Sequence, residues 1–143
     1  MIAGTFAYGP MDRIFGTRKW IIFIGSSICL ASILGLALME QITFGISVSL
    51  FCILGFFGMS YPLMIAHGRS FSPEHLTGRC VTLLNMFGIG GAGLFQFFSG
   101  RIFRFTLETE GSSSVAYTSI FLFYAASLFV GLVLYLKAQD RLD

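Results

Sequence analysis

Five residues in one short stretch, Asp12, Arg13, Gly16, Arg18 and Lys19, have the types and spacing for ionic chemistry rather than for covalent catalysis. An aspartate at a helix end can meet the N-terminus of a neighbouring helix, where unpaired N–H groups and the macrodipole favour negative charge. Arg13 would then hold that carboxylate by a charge-assisted hydrogen bond. Gly16 would permit a tight turn, and Arg18 and Lys19 would anchor the following segment in a headgroup layer. The plainer reading is a basic flank holding a helix end at the membrane surface. A second set is neutral. Asn85 and Gln96 stand eleven residues apart in an uncharged run, so on a helix they fall about 20° apart around the axis. Gly88, Ala92 and Ser99 fall near the same stripe, and Gly91 is a further small residue suited to helix packing. This face is small and polar. It suits either a solute-lining surface or close helix packing with amides bonding across an interface. Tyr61, near the end of the preceding apolar run, is a further candidate for a cavity wall or for an interfacial anchor.

Other combinations carry less. His67 and His75 sit in a charged segment with Glu74 beside one of them, and no metal site is expected there. The run GIGGAG satisfies the G-x-G-x-x-G pattern at Gly88, Gly90 and Gly93, but it lies mid-run with no strand before it, so a dinucleotide is excluded. Cys29, Cys52 and Cys80 form an odd set without a disulfide framework and are expected as free thiols. No nucleophile–base pair and no H-E-x-x-H motif appears. No enzyme activity, cofactor or metal is expected.

The elements that must position these residues are apolar. The chain is 55% hydrophobic, only 11% charged, and has a mean hydropathy of +0.82. Soluble domains carry about a quarter charged residues. Uncharged runs over 20–39, 42–66, 80–100 and 117–136 each reach the roughly 20 residues that a bilayer-crossing helix needs. Residues 1–9 are apolar but cover about half a bilayer, a half-helix stub. Pro62, with Gly55 and Gly58, predicts a kink in the second run. The fold class predicted is an all-α integral membrane protein of one unit, residues 1–143, with four transmembrane helices plus the stub. The net charge of +2 and the scatter of basic residues exclude nucleic acid as a partner.

Lysine and arginine counts set the orientation. Segment 10–19 holds Arg13, Arg18 and Lys19; segment 67–79 holds Arg69 and Arg79; the tail holds Lys137 and Arg141. The turn Glu40–Gln41 holds none, and segment 101–116 holds Arg101 and Arg104 with Glu108 and Glu110. The C-terminus is therefore expected in the cytoplasm, with the chain in a plasma (inner) membrane.

The stretch from Gly9 to Lys19 resembles the cytoplasmic signature loop of the major facilitator superfamily of secondary transporters, which reads roughly G-x-x-x-D-R-x-G-R-R/K. Asp12 and Arg13 match its acid–arginine pair, Gly16 its glycine, and Arg18 and Lys19 its basic end. Gly9 stands three residues before Asp12 rather than four, and Thr17 intervenes before Arg18. The segment HGRSFSPEHLTGR and the glycine-rich run after it are similar to the tenth-to-eleventh helix region of such transporters. The resemblance covers the whole chain. It implies that the stub ends an eighth helix and that the four spans are helices nine to twelve, a C-terminal-half bundle. It further implies that the opening stretch is a conformational latch and that Asn85, Gln96 and Tyr61 border a small-solute cavity. The expected function is that of the C-terminal portion of a secondary transporter working by alternating access, incomplete alone. Its partners would be the lipid bilayer, a solute, and either the missing N-terminal helices or further copies of itself. The alternative is a small four-helix protein, acting as an oligomeric transporter or as a non-transporting membrane assembly or accessory protein.

Overall fold

The computed structural model describes residues 2–39 and 43–141. Among them there is no strand. Six helices follow one another: α1 (Ile2–Phe15), α2 (Lys19–Leu38), α3 (Phe44–Phe57), α4 (Tyr61–Arg69), α5 (Thr77–Glu110) and α6 (Ser113–Tyr135). Counting α3 and α4 as one bent span, four helices are long and apolar enough to cross a membrane. With the composition, this makes the chain an all-α integral membrane bundle. α1, at 14 residues, reaches only about 21 Å at 1.5 Å per residue and is too short to cross.

α2 is the central helix and packs against α6 on one side and α3 on the other. Its buried residues, Ile22, Gly25, Ser26, Cys29, Ser32, Leu36 and Ala37, recur at steps of three and four and so form one stripe. Most are small, which lets helices approach closely where no water is available to drive association. A side chain at Gly25 would collide with the hydroxyl of Tyr8, and one at Gly4 with the carbonyl of Phe56. These contacts seat α1 against α2 and the end of α3. Tyr8, Ile22 and Leu63 form the small buried cluster where α1, α2 and α4 meet.

The bend between α3 and α4 is a 3-10 turn over Gly58–Ser60, with Met59 outside helical geometry at φ −78°, ψ 17°. Its cause is Pro62, which donates no hydrogen bond and whose ring would crowd the carbonyl four residues earlier, that of Gly58. α5 and α6 form a tight antiparallel hairpin. Gly111, at φ +64°, takes the left-handed conformation that ends α5, and its N–H donates to the Leu107 carbonyl at 2.9 Å.

Several expected boundaries move. The stub does not end at residue 9: α1 runs through Pro10 to Phe15, so Asp12 and Arg13 stand in a last helical turn rather than in a loop. Gly16, at φ +62°, is the stop, and its N–H donates to the Asp12 carbonyl at 3.0 Å. The second span extends to Arg69, which puts His67 inside α4. The expected outer loop 101–116 is nearly all helix: no glycine or proline occurs between Arg101 and Glu110, and only Gly111 and Ser112 separate α5 from α6. The turn Glu40–Gln41 lies outside the described residues.

Candidate functional site

At one end of the bundle the chain after α6 folds back onto the start of α2. The carboxylate of Asp140 sits on that helix N-terminus. Its Oδ1 accepts hydrogen bonds from the backbone N–H groups of Lys19 at 3.0 Å and Arg18 at 3.2 Å, and its Oδ2 accepts from the Thr17 hydroxyl. Thr17 Oγ1 in turn accepts from the Trp20 N–H at 3.3 Å. The tie is reciprocal, because Lys19 Nζ donates to the carbonyl of Leu136 at 2.8 Å, just past the end of α6. A negative group thus stands at the positive end of one helix dipole and a positive group at the negative end of its antiparallel neighbour. Orphan N–H and C=O groups are satisfied at both ends. Partial burial pushes the Asp140 carboxyl upward. The hydrogen bonds from Thr17, Lys19 and Arg18, with the nearby His67, outweigh that and hold it below the ordinary carboxylate value.

His67 joins α4 to the same cluster. It is buried, at 3% exposure. Its Nδ1 lies 2.6 Å from the Tyr135 hydroxyl and its Nε2 2.9 Å from the Gln139 carbonyl. A carbonyl can only accept, so Nε2 carries a proton, and Nδ1 faces the tyrosine hydroxyl. The edge of Phe71 packs on the imidazole, and the Arg141 guanidinium lies 5.0 Å from the centre of the Phe71 ring. An ion pair of 3.1 Å between Arg18 Nε and Asp12 Oδ2 ties α1 in as well.

The expected latch stretch therefore divides differently. Asp12 pairs with Arg18, not with Arg13, which is exposed at the surface. The carboxylate on a helix terminus belongs to Asp140, more than 100 residues away in the chain. Gly16 makes the turn, and Arg18 and Lys19 open α2. The residues missed from sequence are Thr17, His67, Tyr135 and Asp140. Thr17 carried a signal, a threonine immediately before an apolar helical run. The other three carried none, since their role depends on which ends the fold brings together.

The second candidate region is α5. Tyr61 and Asn85 do meet: the tyrosine hydroxyl donates to Asn85 Oδ1 at 2.7 Å. Gly88 makes room for them, because a Cβ there would stand 2.7 Å from the Tyr61 oxygen. Gln96 is not part of this pair. It is exposed about 16 Å further along the axis, in a groove with Phe97, Gly100, Arg101 and Arg104. Gly91 and Ala92 do not pack inside the chain: a Cβ at Gly91 would touch nothing within 4 Å, and Ala92 is exposed. None of the residues of α5 is buried by the rest of the described chain. Among the described residues, no group of three or more histidine, cysteine or acidic side chains is placed to hold a metal. Cys29, Cys52 and Cys80 are free. Compared with family models, curated proteins and solved structures, this chain matches none.

Proposed function

We propose that the chain is a non-enzymatic unit of a membrane helix assembly, in which α5 is covered by transmembrane helices from outside the described chain and the cluster around Asp140 and His67 fixes the pose of α2, α4 and α6. One observation carries this reading. α5 is the longest helix, yet it buries none of its residues and leaves Gln96 and Ala92 exposed. An amide facing hydrocarbon is costly, and small residues let a second helix approach closely; a covering helix answers both. The covering helices are either those of a second copy or those of a larger transporter.

The second reading is the C-terminal part of a major facilitator transporter. It is favoured by the stretch from Gly9 to Lys19 and by the nature of the tail cluster. A carboxylate resting on a helix N-terminus at the surface can release and re-form at small cost, as the rocking of two bundles would require. In that reading Tyr61, Asn85 and Gln96 border the solute path and the clustered end faces the cytoplasm.

Single-cysteine crosslinking separates the two. Ala92→Cys is made in a background without Cys29, Cys52 and Cys80, and the chain is oxidised in native membranes. A crosslinked homodimer, with saturable solute uptake by liposomes holding the purified chain alone, supports an oligomeric transporter. A homodimer without uptake supports a non-transporting assembly. No homodimer, with uptake restored only when the preceding helices of a transporter are supplied, supports the second reading. A monomer that stays soluble and inactive in every arm refutes both.

A further inference from the structure

Both readings use Gln96, but neither gives a role to the two arginines beside it in the groove at the far end of α5. It is lined by Gln96, Phe97, Gly100, Arg101 and Arg104 and encloses ≈ 270 Å³. Relative to Gln96, these residues spread over about 140° of the helix, with Arg104 near the middle. Gly100 forms the floor, and a Cβ there would meet nothing within 4 Å, so the space above it is open. Among the described residues, neither guanidinium pairs with an acid. Glu108 stands one turn beyond Arg104 on the same helix but makes no ion pair with it.

Topology does not account for these two arginines. The other basic residues, Arg13, Arg18, Lys19, Arg69, Arg79, Lys137 and Arg141, all gather at the tail end of the bundle. Arg101 and Arg104 alone stand at the opposite end, where the preference for a basic cytoplasmic face disfavours them. Two like charges three residues apart on one face also repel each other. They begin where the uncharged run 80–100 stops, which places the groove at headgroup depth. Arginine is the side chain suited to two-pronged binding of phosphate or carboxylate oxygens, and an adjacent amide N–H adds a neutral donor.

We propose that Gln96, Arg101 and Arg104 form a binding site for a phosphate-type anion. Two sources share that chemistry: the phosphate of an anionic lipid headgroup at the membrane surface, and a free phosphate-bearing solute. Arg101 and Arg104 would grip the oxygens, Gln96 would donate from the membrane side, and Phe97 would line the groove's apolar wall.

The test uses the full chain in two arms. In the first, the chain is held in nanodiscs of phosphatidylglycerol and phosphatidylcholine, and retained phosphatidylglycerol is counted by native mass spectrometry. In the second, the chain in neutral detergent is titrated calorimetrically with inorganic phosphate. The variants are Arg101→Gln with Arg104→Gln, Gly100→Leu, and Arg69→Gln with Arg79→Gln at the opposite end. The double arginine variant should weaken binding about tenfold or more, the scale of one lost charge-assisted hydrogen bond. Gly100→Leu, which fills the groove and keeps both charges, should do the same, while the opposite-end pair should change nothing. Loss confined to the first arm identifies a lipid site, and loss confined to the second a solute site. Binding that is absent from both arms, or unaltered by Gly100→Leu in folded protein, or equally reduced by the opposite-end pair, overturns the site. Should the double arginine variant fail to fold, Gly100→Leu decides alone.

Discussion

The tail end of this bundle and the far end of α5 are built on opposite terms. At the tail end, Asp140, Lys19, His67 and Tyr135 are each matched to a partner, and α1, α2, α4 and α6 are tied within a few ångströms. At the other end, Gln96, Arg101 and Arg104 are exposed on a helix that runs about 51 Å, well past the roughly 30 Å of a hydrocarbon core. Among the described residues, the cluster around Asp140 and His67 satisfies its own polar groups. The second region carries polar and charged groups for which the described residues supply no ion pair.

The largest loss is expected at His67. His67→Leu keeps most of the volume but strands the Gln139 carbonyl and the Tyr135 hydroxyl, and should destabilise the chain by about 3 kcal/mol, read from denaturation in detergent. Gly91→Leu on the open face should change the same measurement by less than about 0.5 kcal/mol. Equal losses for the two would erase the distinction. Asp140→Asn should come next. It removes the charge from the helix terminus while leaving a weaker cap, for a loss of about 0.5–1 kcal/mol in this solvent-screened position.

Acid sharpens the same point. The Asp140 carboxyl is held below its ordinary value in the folded chain. Its contribution is therefore present above the ordinary carboxyl range, near about pH 4, and is lost as pH falls through the lower folded value. Melting curves from neutral pH downward should show an acid limb that is shallower in Asp140→Asn than in the parent. Identical limbs would remove the carboxylate from the account. A smaller effect than that of Asp140 belongs to Asp12→Asn, about 0.5 kcal/mol, as suits an ion pair near the surface. Arg13→Gln should have none, and a larger loss there than at Asp12 would restore the pairing expected from sequence order.

The helices were legible because lipid imposes a simple rule. About 20 uncharged residues must be a helix, and four such runs stand between charged punctuation. Boundaries were less legible. Charge was taken to mark loops, but Asp12 and Arg101 sit within helices because nothing nearby breaks the backbone until Gly16 and Gly111. The physical idea of a carboxylate on a helix terminus was readable, while its owner was not. Asp12 was adjacent in sequence, whereas Asp140 is adjacent only after α6 has packed against α2. His67 was hidden in the same way. A histidine two residues from the end of a span has no periodic signature, and its partners are 68 and 72 positions away. Asn85 and Gln96 share a stripe, as their spacing requires, but about 16 Å of axial rise gives them separate surroundings.

The reciprocal tie between α2 and α6 also bears on how the protein is made. Chains emerge from the ribosome in order, and the amide of Lys19 is synthesised 121 residues before the carboxylate that caps it. Until those last residues arrive, the start of α2 lacks its acceptor and the imidazole of His67 lacks both of its partners. Closure of this end is thus a late event that reports on completion. A chain interrupted after α6 would hold all four described membrane spans and still leave Nε2 of the buried His67 without its Gln139 partner, a defect that quality-control proteases can act on. By the same logic, a fusion joined directly at Gln139, which removes Asp140, would perturb the tail end of the bundle more than an insertion at Gly111.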